Sequence, residues 1–193
     1  MPDSADPVHV VGPNAILQMA AALCAEGGET LAREVFGRAG IAPMLDVPPA
    51  SMVAESDAAR LHRAVAATLE PERAAAVARE SGRLTGEYIL AHRIPAGARR
   101  MLRALPAAVS GPMLLTAIRR HAWTFAGSGR VTTGKRPMML GIAANPLATP
   151  GCPWHRAVLQ TLFRSLVAGD MTVEEAGCCA RGAAACRFFM RRG

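Results

Sequence analysis

The first two-thirds of the chain repeats apolar side chains every three or four residues, which is the period of an amphipathic helix. Clusters of glycine and proline interrupt this pattern and mark the ends of the helices. The pattern predicts six helices, over residues 14–26, 30–38, 56–69, 71–92, 98–105 and 111–121. Ser56 is the predicted N-cap of the third helix.

From Trp123 the apolar positions alternate every second residue, as they do in a strand with one buried face. The alternation predicts four strands, over residues 123–126, 138–143, 171–178 and 185–190, with Gly127-Ser128-Gly129 as a hairpin turn. One further helix follows Cys152. The predicted class is therefore α+β: a helical N-terminal two-thirds packed on a four-stranded antiparallel sheet with a C-terminal hairpin.

Length and composition favour one intracellular domain. We expect residues 1–13 to form a flexible tail and residues 14–193 a single domain, since 193 residues suffice for one core. The longest apolar run, residues 15–25, contains Gln18 and is too short to span a membrane. The start of the chain lacks an export signal and the cysteine count is odd, so a reducing cytoplasm is expected.

The formal net charge of +7 comes from arginines, with Lys135 as the only lysine, and they are interpreted as spread along the helices. A basic surface attracts nucleic acids, anionic membranes or acidic proteins. The chain has no helix-turn-helix signature, aromatic stacking platform or basic run, so no nucleic-acid partner is expected.

Three cysteines of the last quarter have the placement of metal ligands. Cys152 stands at a predicted helix N-terminus, followed by Pro153, and such a position favours a thiolate. Cys178 and Cys186 are symmetric about Gly182, the apex of a predicted turn, so their sulfurs are expected to face each other across paired strands.

A fourth ligand is available from Glu175. It lies three residues before Cys178, so the two side chains share a side only if Gly177 permits a bulge or the strand has already ended. Three thiolates and one carboxylate suit a closed, structural Zn²⁺ site. Cys179 faces the other way and is predicted to lie outside the site, and the alternative is a set of scattered buried thiols.

A ligand pocket is predicted where the helices give way to the strands. His121 lies beside Trp123 and Phe125, where an aromatic and partly polar cavity mouth can form. Arg119 and Arg120 precede it and can meet acidic groups of a ligand. The Gly127-Ser128-Gly129 turn leads into a strand rather than a helix, so it is not expected to cradle a nucleotide phosphate.

The residues also carry a resemblance to a known family. Glu175, Cys178 and Cys186 fit the spacing E-x2-C-x7-C, and Cys152 fits the leading cysteine, of a 4-vinyl-reductase-like domain related to phenol-sensor input domains and subunits of the TRAPP type. In the sensor domains this pattern binds zinc. Residues 82–95 and 118–125 resemble the bacteriochlorophyll 4-vinyl reductase (BchJ) family of photosynthetic bacteria.

The resemblance implies a role in bacteriochlorophyll biosynthesis. We expect a carrier that binds a magnesium tetrapyrrole and delivers it to enzymes of this pathway, with zinc as a structural cofactor. One alternative is an enzyme, a reductase of the vinyl group of divinyl chlorophyllide, and another is a ligand-sensing or scaffold domain. The implied location is the cytoplasm, with peripheral contact to the photosynthetic membrane and homodimer formation left open.

Overall fold

The structure, a computed structural model, describes residues 9–193. Eight helices and six strands follow in the order β1, α1, α2, β2, α3–α7, β3, β4, α8, β5, β6. The helices are α1 (Asn14–Arg38), α2 (Pro43–Asp46), α3 (Glu55–Thr68), α4 (Pro71–His92), α5 (Ala96–Ala104), α6 (Ala107–Arg120), α7 (Trp123–Ala126) and α8 (Pro153–Leu166). The strands are β1 (Val10–Val11), β2 (Val53–Ala54), β3 (Arg130–Lys135), β4 (Met138–Ala143), β5 (Met171–Gly177) and β6 (Ala185–Arg192).

The α+β class is confirmed, with a four-stranded antiparallel sheet in the order β3-β4-β6-β5. Helix α8 contacts β5 and β6 on one side and α4 on the other, and α4 in turn packs against α1. The core therefore extends from the sheet through α8 and α4 to α1. No helix of residues 9–193 is long and apolar enough to cross a membrane.

The predicted strand over residues 123–126 is wrong. This segment is the short helix α7, and the first strand of the sheet is β3, which begins after the glycines. Gly127-Ser128-Gly129 therefore joins a helix to a strand instead of forming a hairpin turn. The alternation of large and small side chains from Trp123 to Ala126 fits one helical turn as well as a strand, because four residues are too few to separate the two periods.

Other boundaries differ in smaller ways. The two helices predicted over residues 14–26 and 30–38 are one element, α1, interrupted by non-helical dihedral angles at Gly27 and Gly28. Helix α3 begins at Glu55 without a side-chain cap, so Ser56 is not its N-cap. Of the predicted tail, residues 1–8 lie outside the described residues, while Val10–Val11 pairs with β2.

Helices α4 and α8 approach each other closely at Gly82 and Gly86. A Cβ on Gly82 would lie 2.8 Å from Cβ of Ala157, and one on Gly86 would lie 2.7 Å from Cβ of Thr161. Side chains larger than hydrogen would therefore force the two helices apart. This contact fixes the position of α8, whose N-terminus carries Cys152.

Candidate metal centre

Cys152 reaches the centre through an unusual backbone conformation. It is the residue before α8 and has φ 44° and ψ 49°, in the left-handed region that side chains other than glycine rarely adopt. Its N–H donates to the carbonyl of Thr149 at 2.8 Å. The prediction that α8 begins directly after Cys152 with Pro153 is confirmed. A conformation that costs of order 1–2 kcal/mol here turns the thiol away from the helix end and toward the hairpin.

The hairpin supplies the other two thiols by an irregular path. The pairing of β5 with β6 shifts register between Glu175 and Gly177, which is the predicted bulge. Cys178 follows the end of β5, and a single 3-10 turn, Cys179–Arg181, leads to Gly182 at φ 83°. Cys186 lies within β6 opposite Ile142. Cys178 and Cys186 are thus not partners across paired strands, and the bulge and the turn bring them together instead.

The structure gathers the sulfur atoms of Cys152, Cys178 and Cys186 within 4.8 Å of one another. Sγ of Cys152 is 3.4 Å from that of Cys178 and 3.2 Å from that of Cys186. All three residues are buried. Thiolates that share a tetrahedral Zn²⁺ are about 3.8 Å apart, so an ion fits after small movements of the side chains. The cluster can therefore hold a metal ion.

Cys186 is the thiol of the cluster best prepared to be a thiolate. Its sulfur accepts hydrogen bonds from Cys152 Sγ at 3.2 Å, from the backbone N–H of Cys179 at 3.3 Å and from Asn145 Nδ2 at 3.4 Å. These donors lower the pKa of Cys186, with the bond from Cys152 as the largest cause. The same bond, together with burial, raises the pKa of the Cys152 thiol. A bound cation would remove this opposition by stabilising all three thiolates.

Glu175 lies outside the group of three cysteines. Its carboxylate forms an ion pair with Arg181 and is 6% exposed, while the Arg181 side chain is 54% exposed. Oε1 of Glu175 is buried and has no hydrogen-bond partner among residues 9–193. A buried carboxylate oxygen without a donor is costly, and a cation is one group that would satisfy it.

Cys179 contributes its main chain rather than its side chain. Its N–H points at Cys186, whereas its own sulfur lies 3.7 Å from the carbonyl oxygen of Ile142. It belongs to the 3-10 turn rather than to a strand. Asn145 and Arg181 could not be identified from the sequence, since neither has a spacing to the cysteines that marks it as a neighbour.

The residues predicted to bind a ligand lie at the end of α6 and in α7. Arg119, Arg120 and His121 are exposed, and Trp123 is 52% exposed. Phe125 is partly buried, and its ring centroid is 6.4 Å from that of His155. The structure therefore places four of these five side chains on the surface rather than in the mouth of an enclosed cavity.

A buried aromatic group lies directly after Cys152. Trp154 stands edge-on to His62 at 5.3 Å and to His155 at 4.8 Å between ring centroids. His62 Nε2, Trp154 Nε1 and His155 Nδ1 are buried without a hydrogen-bond partner among residues 9–193. Desolvation lowers the pKa of His62 to about 4 and that of His155 to about 3, so both rings are neutral at neutral pH.

Comparison with known proteins identifies similar sequences. The 4-vinyl reductase domain family matches residues 143–192, the segment that holds all three cysteines of the cluster. The "Bacteriochlorophyll synthase 23 kDa chain" of Cereibacter sphaeroides is 46% identical over 188 residues, covering 93% of this chain and 89% of the relative. The protein of the same name from Rhodobacter capsulatus is 38% identical over 188 residues, covering 93% and 86%.

Among solved structures, an H-NOX protein from S. oneidensis in the Fe(II)NO ligation state is similar in fold. The TM-score is 0.56 at 12% sequence identity, over 95% of this chain and 99% of that chain. At this identity the likeness concerns the fold alone.

Proposed function

The chain belongs to the family of the bacteriochlorophyll synthase 23 kDa chain, and from this premise we propose that it takes part in bacteriochlorophyll biosynthesis. Its role is that of a carrier, which binds a magnesium tetrapyrrole intermediate and delivers it to enzymes of the pathway. The observation that carries the proposal is sequence similarity to these relatives over nearly the whole chain.

The side chains between α6 and α7 suit a flat, apolar ligand with acidic edges. The exposed indole of Trp123 offers a face on which a tetrapyrrole ring can stack. His121 lies two residues away with an exposed imidazole that can serve as an axial ligand of magnesium. Arg119 and Arg120 can pair with the carboxylates of the ring substituents, and Phe125 supports the base of the surface.

The glycine turn favours carriage over nucleotide-dependent reduction. Ser128 donates from its backbone N–H and its hydroxyl to the carboxylate of Glu55, at 2.6 and 2.8 Å. A carboxylate thus occupies the donors that a phosphate would need, and it would repel a phosphate placed there. This contact supports binding and delivery, with reduction of the vinyl group by the protein itself as the competing outcome.

The metal in the proposal is zinc, with a structural role. Cys152, Cys178 and Cys186 would hold it, and Glu175 would complete the shell. The ion would supply a cross-link between the start of α8 and the β5–β6 connection, two segments that no disulfide joins. Because α8 packs on both the sheet and α4, the cross-link would fix the position of the whole helical layer.

A pigment titration tests the proposal. Adding magnesium protoporphyrin to the purified protein in detergent solution should shift the pigment's absorbance with saturation at micromolar protein. Trp123→Ala and His121→Ala should weaken binding, whereas His92→Ala, an exposed histidine on α4, should not. A pigment spectrum that never changes would refute the carrier role.

A second measurement separates the carrier from the enzyme. The protein is incubated with divinyl chlorophyllide and a chemical or nicotinamide reductant, and the pigment is analysed by mass. Recovery of the divinyl pigment supports carriage, and conversion to the monovinyl form makes the protein a reductase. Co-purification with pathway enzymes in the absence of any pigment would instead favour a scaffold.

A further inference from the structure

Acidic residues are absent from a long central segment of the chain. Between Glu87 and Asp170 there is no aspartate or glutamate, yet the segment contains ten arginines and Lys135. The remainder of the chain carries 11 basic and all 15 acidic residues. The charge is therefore not spread evenly, as was expected from the sequence, but concentrated in residues 88–169, which include α5, α6, α7 and the β3–β4 hairpin.

The cations of this segment have no carboxylate partners within residues 9–193. Every ion pair in that range uses an arginine from outside the segment. These arginines are Arg33, Arg60, Arg73, Arg83, Arg181, Arg191 and Arg192. Unpaired cations grouped on one part of a protein create a positive potential that attracts an external anionic surface.

Exposed apolar side chains occur in the same segment. Val109 and Met113 are one turn apart on α6, at 45% and 39% exposure, and Arg120 lies two turns further along the same side. Trp123 follows directly in α7. We call Val109, Met113, Arg119, Arg120 and Trp123 the α6 face.

The β3–β4 turn adds charge beside this helix. A Cβ on Gly111 would collide with Sδ of Met138, the first residue of β4, so the turn lies against α6. Lys135 and Arg136 at this turn are exposed. Cationic side chains therefore lie both at the C-terminal end of α6 and beside its middle.

We propose that the α6 face docks on an anionic membrane surface, with Met113 and Trp123 entering the interface and the arginines meeting lipid phosphates. Tryptophan is favoured at the level of the lipid headgroups, and each basic residue near an anionic surface contributes binding. A lipid surface fits better than an acidic protein, because it can meet widely spaced cations without a matching carboxylate for each. This docking does not depend on pigment binding.

Vesicle sedimentation with pigment-free protein tests the proposal. The protein should pellet with phosphatidylcholine vesicles that contain phosphatidylglycerol, and much less with phosphatidylcholine alone. Arg119→Gln/Arg120→Gln should weaken binding by roughly 25-fold, about fivefold for each charge. The matched control is Arg63→Gln/Arg79→Gln, which removes two exposed arginines of α3 and α4 and should change binding far less.

Tryptophan fluorescence reports on insertion. Trp154 is 2% exposed, so a blue shift on adding anionic vesicles would come from Trp123. Trp123→Phe should abolish the shift while leaving most of the sedimentation.

Three outcomes would overturn the proposal: equal sedimentation with both kinds of vesicle, equal losses in the two double variants, or binding to polyglutamate without binding to vesicles. The last would assign the α6 face to an acidic protein. None of these results bears on the pigment titration, which is done without vesicles, so the two proposals can fail separately.

Discussion

The backbone N–H of Cys179 donates to Sγ of Cys186 at 3.3 Å, although the side chain of Cys179 lies outside the cysteine cluster. Adjacent cysteines thus have different parts in the centre, since Cys178 contributes its sulfur and Cys179 its main chain. A side-chain substitution at Cys179 leaves the N–H in place. The pair Cys186 and Cys179 therefore separates a ligand from a neighbour.

We expect Cys186→Ala to lose bound zinc and several kcal/mol of stability, because a structural metal contributes its binding free energy to folding. The melting temperature should fall by roughly 10 °C. Cys179→Ala should retain zinc and differ from the unmodified protein only slightly. Metal analysis by mass spectrometry and thermal melts of the purified proteins check this. Equal zinc content in both variants would remove Cys186 from the shell.

Glu175 and Glu174 form a second matched pair. Glu175 is almost fully buried next to Arg181, whereas Glu174 is exposed and pairs with Arg191 at 3.2 Å. If Glu175 is the fourth ligand, Glu175→Gln should weaken zinc binding by at least tenfold and change the visible spectrum of the cobalt-substituted protein, while Glu174→Gln should change neither.

Arg181→Gln is the control for the ion pair, since it breaks the Glu175–Arg181 contact but leaves the carboxylate free to bind metal. An unchanged cobalt spectrum in Glu175→Gln would show that a different group completes the shell.

The sequence predicted the sheet best where a strand is covered on both sides by neighbours. Strand β4 lies inside the sheet and its apolar alternation gave the correct bounds, 138–143. Strand β3 is at the edge and consists of Arg-Val-Thr-Thr-Gly-Lys, with little apolar surface to mark it. The signal of a strand therefore weakens where burial does.

The cysteine cluster was predictable in its members but not in its geometry. The spacing of Cys152, Cys178 and Cys186 indicated a shared site, and the bulge at Gly177 was foreseen. The left-handed conformation of Cys152 could not be foreseen, because it depends on the loop before α8 and on the place that α4 gives to this helix. Local patterns do not encode such distant constraints.

The close approach of α4 and α8 predicts a large effect of one methyl group. Gly82→Ala should destabilise the protein by about 1–3 kcal/mol, since the new Cβ would meet Ala157 and the main chain of α8. Gly97→Ala is the control, because a Cβ on Gly97 in α5 has no neighbour within 4 Å. That substitution should be neutral or slightly stabilising. Chemical unfolding of both variants is the measurement, and equal stabilities would contradict this packing of the two helices.

The buried histidines predict a loss of stability in acid. The folded state holds the pKa of His62 at about 4, below its ordinary value of 6.5, because burial penalises the charged ring. The unfolded chain therefore takes up the proton first, so the contribution is complete above pH 6.5 and is lost as the pH falls toward 4. The loss should be on the order of 3 kcal/mol for His62, and His155, with its pKa lowered to about 3, acts in the same direction.

The measurement is urea unfolding of the metal-free protein between pH 7 and pH 4, so that release of metal in acid does not contribute. His62→Gln removes one titrating group and should flatten the dependence of unfolding free energy on pH, whatever its effect on stability at neutral pH. If the slope is the same in both proteins, His62 takes up its proton equally well in the folded and unfolded states. Its ring would then have access to water, in contradiction to its place beside Trp154.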